Sequence, residues 1–394
     1  MRSSAPISRT SASLSEMRQN TLYRYDLDDA QTQYHGVPLC YWTSFATTLA
    51  RSQASLPLLP MRNFLVTPTK VVDSVIEGLL SVSRVKLERV EGHSGLVYHG
   101  NQNRRIRIVV GGGSGHEPLF LGAVGPGMAD GAIAGSVFAA PNPFSIRATA
   151  EALGKSDGTI FIYGNYSGDV LNFEFAIDEL SDAGATATQI RVHDDIASAP
   201  PDRLEARRGT AGDIYVMKCA AAAADRGLPL EEVLRIGEKV NSTVRSLGVA
   251  LQACSSIDTG EPMFDLPKGS LEIGMGLHGE MGVRRADFLP AEALVPQMIE
   301  LLLADYSATA TPLERVVVMV NGLGGTTVLE LLAVTGHVRK GLKEKGIELR
   351  QCVAGEFATS LDMAGFSITL LPIDDEIEPL IAAAADSFCF THHP

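Results

Sequence analysis

The chain of 394 residues has few cysteines, and they form no cluster. Its five cysteines are widely scattered with no Cys-x-x-Cys spacing, which argues against both a thiolate zinc site and a disulfide framework. Their odd number fits a reducing compartment. No run of about 18 apolar residues occurs, and the N-terminus lacks the charged-then-apolar order of a secretion signal. We therefore expect a cytoplasmic protein with no membrane-spanning segment.

Positive charge is also scarce. The formal net charge is −13, and no cluster of lysines and arginines occurs anywhere in the sequence. Nucleic acids and anionic membrane surfaces are polyanions that attract basic patches. Neither is therefore expected as a main partner.

Several common enzyme motifs are missing from the first glycine-rich segment, residues 111–118. It has no Gly-Lys-Ser/Thr ending of a phosphate-binding loop and lacks the third glycine of the dinucleotide-binding fingerprint. His116 stands where a Gly-x-Ser-x-Gly nucleophile motif needs its last glycine. Pro118 and Phe120 break the pattern of a zinc-binding His-Glu-x-x-His helix. An unrelated α/β hydrolase or dehydrogenase is therefore disfavoured, and no metal site is predicted.

A second polar segment, His193-Asp194-Asp195, follows a predicted strand. Its imidazole and carboxylates are possible cation ligands. Three polar residues at the end of a strand more often form a solvated turn, and we expect a solvated turn here.

The patterning of the chain changes near residue 60. Residues 1–60 keep neither a helical nor a strand period, so we interpret them as an N-terminal extension or as a start set too early, before Met61. From Thr67-Pro68 onward, apolar residues recur at four-residue spacing, which predicts a helix capped by Thr67. The chain after residue 60 is predicted to form a first α/β lobe, residues 61–250, and a second α/β lobe, residues 251–394.

Short β-branched segments alternate with helical ones along both lobes. The predicted strands cover residues 106–110, 159–163, 189–192, 214–218, 316–320 and 368–371, and helical segments include residues 219–225, 231–247 and 328–334. This alternation predicts a largely parallel or mixed sheet flanked by helices in each lobe. Glycine-rich turns follow several strands, at the sheet edge where α/β proteins bind ligands. The sequence thus predicts a two-lobed α/β fold with the substrate site between the lobes.

Four glycines surround a single histidine, His278, in residues 274–282. Glycine removes side-chain bulk, so a ligand can come close to that imidazole. An imidazole ordinarily titrates near pH 6.5, so its free nitrogen can add to an electrophilic carbon such as a ketone without a separate base. The alternative is a structural histidine packed in a tight turn.

Two further polar residues, His116 and Asp169, lie in similar glycine-rich loops of the first lobe. Loops that follow strands can converge on one cleft between lobes. In such a cleft His278 would add to the carbonyl carbon of a small hydroxylated ketone, while His116 and Asp169 bind its hydroxyls. The three residues together therefore predict a ketose site.

Five segments together resemble the ketose-binding K domain of the dihydroxyacetone kinases. They are residues 111–118, 165–169, 276–280, 321–326 and 360–365, and the resemblance extends from about residue 61 to the C-terminus. It implies a two-lobed α/β subunit, usually a homodimer, in which His278 forms a covalent hemiaminal with the ketone. By the same matching, the substrate is contacted by Gly113, Ser114, Gly115 and His116. His116 would be a proton acceptor, and Asp169 would orient or deprotonate the attacking hydroxyl.

One substrate-contacting position departs from the family pattern. Relatives that use the three-carbon ketone usually carry a lysine before the Asn-Tyr of the second loop, and this chain has Gly164. The change removes a cation and opens space. An alternative function is therefore a kinase subunit for a larger ketose, such as the four-carbon erythrulose.

The resemblance also implies partners, because in this family a separate L domain or subunit holds the nucleotide. No aspartate-rich loop of that kind follows here, so we expect no cofactor on this chain and ATP or ADP with magnesium on an L subunit. The L subunit would be charged by ATP, or its ADP would be rephosphorylated by a phosphotransferase-system M subunit. A different class of function is a non-catalytic ketose sensor that keeps His278. Retention of His116 and Asp169 favours catalysis.

Overall fold

A computed structural model of the protein describes residues 70–101 and 104–393. Residues 1–60 and the predicted cap at Thr67 lie outside the described residues. The described residues belong to one compact unit. None of their helices combines the length and the apolar character needed to span a bilayer.

Helices and strands alternate along the described chain. The helices are α1 (Val71–Val82), α2 (Pro143–Ala152), α3 (Ser167–Asp182), α4 (Asp213–Asp225), α5 (Leu230–Thr243), α6 (Ala291–Ala308), α7 (Val328–Glu344) and α8 (Glu378–Ile381). The strands are β1 (Glu88–Arg89), β2 (Gly95–Val97), β3 (Ile106–Ser114), β4 (Gly131–Val137), β5 (Gly158–Gly164), β6 (Ala187–Val192), β7 (Arg245–Gln252), β8 (Ser270–Ile273), β9 (Arg284–Asp287), β10 (Arg315–Gly322), β11 (Glu348–Glu356), β12 (Ala364–Pro372), β13 (Ala385–Asp386) and β14 (Thr391–His392).

The first six-stranded sheet has the order β1-β2-β4-β3-β5-β6. Strands β4, β3, β5 and β6 pair in parallel, and the short β1 and β2 add an antiparallel edge. Strands β3 and β5 are almost wholly buried, because helices pack on both faces of the sheet. The carboxyl ends of β3, β5 and β6 therefore lie at one edge, and the loops that begin at residues 115, 165 and 193 start there.

The second six-stranded sheet has the order β11-β10-β12-β7-β8-β9. Only β10 and β11 pair in parallel within it, and the other neighbours are antiparallel. Two mixed sheets flanked by helices confirm the predicted two-lobed α/β class. The lobe boundary at residue 250 stays a prediction, and β7 (Arg245–Gln252) runs across it.

The strand predicted at residues 214–218 is wrong, because this segment forms the first part of helix α4. Asp213 lies at the helix start, and the alanines of residues 220–224 are the strongest helix formers. The helix is buried on all sides from Asp213 to Ala224, so no polar face reveals its helical period. The β-branched residues Ile214 and Val216 are typical of strands and led to the wrong prediction.

A buried ion cluster ties together three segments that are far apart in sequence. Asp305 on α6 lies 2.7 Å from the Arg245 Nε of β7, and its carboxylate also accepts two hydrogen bonds from Arg207, which precedes α4. The side chains of both arginines are fully buried, and that of Asp305 is 6% exposed. The cluster thus links the second sheet to the loop that leads into α4.

Replacing Asp305 by alanine is expected to lower the free energy of unfolding by about 3–5 kcal/mol, because two buried guanidinium groups lose their counter-charge. Chemical denaturation of purified protein measures the loss. Glu300→Ala is the matched control, because Glu300 lies on the same helix and forms an exposed ion pair with Lys345. Its removal should cost at most about 1 kcal/mol. Equal losses in the two variants would show that the buried cluster stabilises the fold no more than an exposed ion pair does.

Candidate functional site

The three polar residues predicted from glycine-rich loops line one cleft. His116, Asp169 and His278 face it, together with Gly113 and Gly164. The free volume of the cleft is about 20 Å³, roughly the space of one water molecule, because these residues pack closely around it. The three loops therefore meet at one narrow cleft.

Glu280 fixes the orientation of His278. Its Oε2 accepts a hydrogen bond from the His278 backbone N–H at 2.9 Å, and its Oε1 lies 2.9 Å from His278 Nδ1. A Cβ at Gly276 would lie 2.1 Å from Glu280 Oε2, so the absence of a side chain there leaves room for the carboxylate. The loop between β8 and β9 thus holds the imidazole with its Nε2 directed into the cleft.

The two histidines meet through their Nε2 atoms, which are 3.0 Å apart. The Nδ1 of His116 lies 2.8 Å from the carbonyl oxygen of Thr359 and so donates to it, while the Nδ1 of His278 donates to the Glu280 carboxylate. Both Nδ1 atoms carry protons, so a hydrogen bond between the Nε2 atoms requires one additional shared proton. An additional proton bound between the two rings would place a positive charge beside the Glu280 carboxylate.

The charges around the pair favour this arrangement. Burial, and then the positive charge of His278, lower the pKa of His116 to about 3, so His116 accepts rather than holds the shared proton. Burial alone would raise the pKa of Glu280. The hydrogen bond from His278, the charge of His278 and that of Arg208 instead lower it to about 2. Glu280 is therefore a carboxylate over the physiological range.

Aromatic rings surround the two imidazoles. The Phe138 ring stacks on His116 with centroids 5.1 Å apart and meets His278 edge-on at 5.2 Å. The Tyr166 ring lies on another side of His278, with centroids 4.7 Å apart at an interplanar angle of 87°. The Tyr166 hydroxyl donates to the Gly209 carbonyl at 3.0 Å, and burial raises its pKa well above the usual value. These rings limit rotation of His278 and cover part of its ring.

Asp169 lies in the first turn of α3 and is only 9% exposed. Its Oδ1 is buried and has no hydrogen-bond partner within the part of the chain that the structure describes. Burial raises the pKa of Asp169 to about 7, against the charge of His278 and a hydrogen bond from its own backbone amide. A carboxyl group that titrates near neutral pH and faces a cleft is suited to accept a proton from a ligand.

The other predicted contact residues are placed differently around the cleft. Ser114 is buried, and its hydroxyl donates to the Gly135 carbonyl at 2.8 Å, while the Gly115 carbonyl accepts from Leu361 N–H at 2.9 Å. A Cβ at Gly164 would lie 3.1 Å from Tyr166 Cε2, so the tyrosine ring occupies part of the space that the missing lysine was expected to open. Ser114 and Gly115 therefore hold the loop, and Gly113 and Gly164 line the cleft.

The solvated turn predicted at residues 193–195 is wrong. Asp194 and Asp195 are buried, at 0% and 3% exposure. Asp194 accepts hydrogen bonds from the Thr210 and Gly212 backbone amides at 2.6 and 2.9 Å, and Asp195 pairs with Arg208 at 2.7 Å. These bonds compensate for burial and fix the loop that precedes α4 beside the cleft. Within residues 70–101 and 104–393, no group of three or more His, Cys, Asp or Glu side chains is placed to hold a metal ion.

Residues 77–389 match the Dak1 domain family, which is more than half of the chain. The chain belongs to this family. Several solved structures share the Dak1 fold with it. Dihydroxyacetone kinase from C. freundii, in complex with AMP-PNP and Mg²⁺, superposes with a TM-score of 0.76 at 32% identity, over 84% of this chain and 61% of that one. A dihydroxyacetone kinase operon co-activator superposes with a TM-score of 0.76 at 28% identity, over 81% of this chain and 98% of that one.

Curated Dak1 relatives include both triose and tetrose kinases. The dihydroxyacetone-binding subunit of PTS-dependent dihydroxyacetone kinase 2 from Listeria innocua is 42% identical over 287 residues, which cover 73% of this chain and 86% of the relative. The D-erythrulose kinase of Mycolicibacterium smegmatis is 39% identical over 322 residues, which cover 81% of this chain but 55% of the relative. The Dak1 chain thus spans most of the first relative and about half of the second.

Several residues in or beside the cleft were not predicted as site residues from the sequence. Glu280 lies two residues after His278, and Tyr166 lies one residue after Asn165, within two of the segments that resemble the K domain. This proximity in sequence was the available signal. Phe138 follows β4, which was not predicted as a strand. Asp213 also lines the cleft, and the wrong strand prediction at residues 214–218 concealed its position at the start of a helix.

Proposed function

We propose that this Dak1 chain is the ketose-binding subunit of a dihydroxyacetone-type kinase. It captures the ketone covalently on His278 and presents a hydroxyl for phosphorylation. The observation that carries the proposal is the His278 Nε2, held 3.0 Å from His116 Nε2 in a cleft that Asp169 also lines. Membership of the Dak1 family and the names of the relatives support the same substrate class.

Capture begins with the proton shared by the two histidines. This proton passes to His116 as the ketone approaches, which frees the lone pair of His278 Nε2. The lowered pKa of His116 makes it a weak base, so it holds the proton only until the alkoxide takes it. The Nε2 then bonds to the carbonyl carbon as the C=O π bond breaks, and the alkoxide takes the proton from His116. The alkylated ring keeps its Nδ1 proton and positive charge beside the Glu280 carboxylate. Glycerol lacks a carbonyl carbon and cannot be held this way.

Phosphoryl transfer then uses Asp169. Its ionised carboxylate accepts the proton of a substrate hydroxyl, whose oxygen bonds to phosphorus as the bond from phosphorus to the donor breaks. In a loose transition state this base mainly orients the attacking oxygen. The donor in our proposal is ATP with magnesium on a separate L-type subunit. This subunit either takes up ATP directly or keeps bound ADP, which a phosphotransferase-system M subunit phosphorylates again. A cytoplasmic homodimer completes the proposal.

A second candidate function is a ketose sensor, favoured by the similarity to an operon co-activator. Capture alone needs the imidazole of His278 and its orienting Glu280. A sensor does not need a buried carboxyl group that titrates near pH 7, and keeping one costs stability. Asp169 therefore favours catalysis.

The test combines isotope labelling with turnover. Protein labelled with ¹⁵N-histidine is mixed with dihydroxyacetone labelled with ¹³C at its carbonyl carbon, and NMR is used to look for a one-bond ¹³C–¹⁵N coupling. Coupling with the ketone and none with labelled glycerol is expected, and a ketose phosphate should form once an L-type subunit, ATP and Mg²⁺ are added. Coupling without phosphorylation would support the sensor. Absence of coupling would refute covalent capture.

A further inference from the structure

A second buried carboxyl group, Asp213, lines the cleft and has no part in the proposed mechanism. Asp213 is the first residue of α4 and is 2% exposed. It shares the cleft with Asp169, His116 and His278, and its Oδ1 is buried without a hydrogen-bond partner among residues 70–101 and 104–393. Buried polar atoms in native proteins are normally paired, so this oxygen needs an explanation.

The surrounding loop does not require Asp213 to hold its shape. The neighbouring Asp194 supplies those contacts, since it accepts from the Thr210 amide, the Thr210 hydroxyl and the Gly212 amide at 2.6, 2.7 and 2.9 Å. Asp213 is thus free of a loop-holding role in the contacts that the structure describes.

Two cations in and just before α4 are engaged elsewhere. The Lys218 amine, further along α4, donates to the Leu380 carbonyl at 3.0 Å, and Arg208 pairs with Asp195 at 2.7 Å. Burial, and then the charges of Asp194 and Asp169, raise the pKa of Asp213 well above its usual value. This favours the neutral acid, which can donate one hydrogen bond and accept others, as pairing with a ligand hydroxyl requires.

The number of polar groups matches a ketose longer than the triose. A three-carbon ketose has two hydroxyls besides its carbonyl, and His116 and Asp169 suffice to bind them. A four-carbon ketose has a third hydroxyl, for which the cleft offers Asp213. Gly164 and Gly209 also line the cleft and add no side chain to it.

We propose that Asp213 binds the additional hydroxyl of a four-carbon ketose held on His278 and thereby makes the cleft prefer ketotetroses to dihydroxyacetone. This inference rests on the proposed function. It assigns Asp213 as a residue that determines substrate specificity, while the reaction at the carbonyl carbon is the same for both ketoses.

The test compares capture of D-erythrulose, L-erythrulose and dihydroxyacetone by the full chain, through the ¹³C–¹⁵N coupling and calorimetric dissociation constants. Wild-type protein should bind one erythrulose enantiomer more tightly than dihydroxyacetone. Asp213→Ala should weaken erythrulose binding by roughly 10-fold to 100-fold and dihydroxyacetone binding by less than about 3-fold. Asp213→Asn keeps the shape and some hydrogen bonding, so its loss should be smaller.

Each outcome separates the two proposals. Asp202→Ala removes an exposed aspartate and should change neither constant. If wild-type protein captures neither ketose, the proposed function is wrong and the role of Asp213 falls with it. If it captures both, and Asp213→Ala weakens both equally or neither, only the role of Asp213 is refuted. If Asp213→Ala does not fold, Asp213→Asn decides by the same comparison.

Discussion

Replacing His278 by alanine is expected to abolish covalent ketose capture and to lower kcat/KM for phosphorylation by at least about 1,000-fold. The variant keeps His116, Asp169 and the cleft, but the carbonyl carbon no longer meets a nucleophile. The substrate would then be held only by its hydroxyls, without the fixed position that a covalent bond gives the attacking oxygen. The ¹³C–¹⁵N coupling and steady-state kinetics with an L-type subunit measure the two losses.

A matched control separates this effect from general damage. His99→Ala removes an exposed histidine of the same chain and should leave both capture and turnover unchanged. Thermal unfolding should show that His278→Ala remains folded, because the His278 side chain is 24% exposed and its ring packs at the cleft surface. A His278→Ala variant that keeps the coupling, or more than about a tenth of kcat/KM, would rule out His278 as the nucleophile.

Replacing Asp169 by asparagine is expected to lower kcat by about 100-fold to 10,000-fold while ketose capture remains. Asparagine has nearly the same shape but cannot accept the hydroxyl proton. This pattern differs from that of His278→Ala, which loses capture itself. Asp178→Asn is the control, because it makes the same change at an exposed position on the same helix, α3. A kcat within about threefold of wild type would contradict the role of Asp169 as the base.

The pH dependence of wild-type turnover should report the same carboxyl group. Since the pKa of Asp169 is about 7, its base form predominates above pH 7, and kcat/KM should fall about tenfold per pH unit below that value. The Asp169→Asn variant should lack this break. A wild-type profile that is flat between pH 5 and 8 would exclude an essential group with this pKa.

As the pH rises, the contribution of Asp169 to stability should fall while the activity increases. The folded-state pKa of Asp169 lies above its unfolded value, so its contribution to stability is fully present below about pH 4 and is lost as the pH rises through 7. The shift of about three pKa units corresponds to a penalty on the order of 4 kcal/mol above pH 7. Asp169→Asn is therefore expected to raise the Tm at pH 8 and to change it little at pH 4.

Local sequence patterns predicted much of the fold and the loops that meet at the candidate cleft. Strands β3 and β5 were visible because buried β-branched runs end in glycine, and the loops after them placed His116 and Asp169. The burial of Asp194 and Asp195 was missed because their partners, Thr210 and Arg208, lie well over ten residues further along the chain. The contact of His116 with the Thr359 carbonyl joins positions 243 residues apart, which no local pattern reveals.

The buried cluster of Arg207, Arg245 and Asp305 has a consequence for protein engineering. Its three charges come from segments on both sides of residue 250, so a chimaera that exchanges one lobe with a relative inherits only part of the set unless the relative carries the same residues. An incomplete set leaves an ion in the interior without its counterion. Recombination libraries built on this chain should therefore exchange the three positions as a unit, whatever crossover point is chosen.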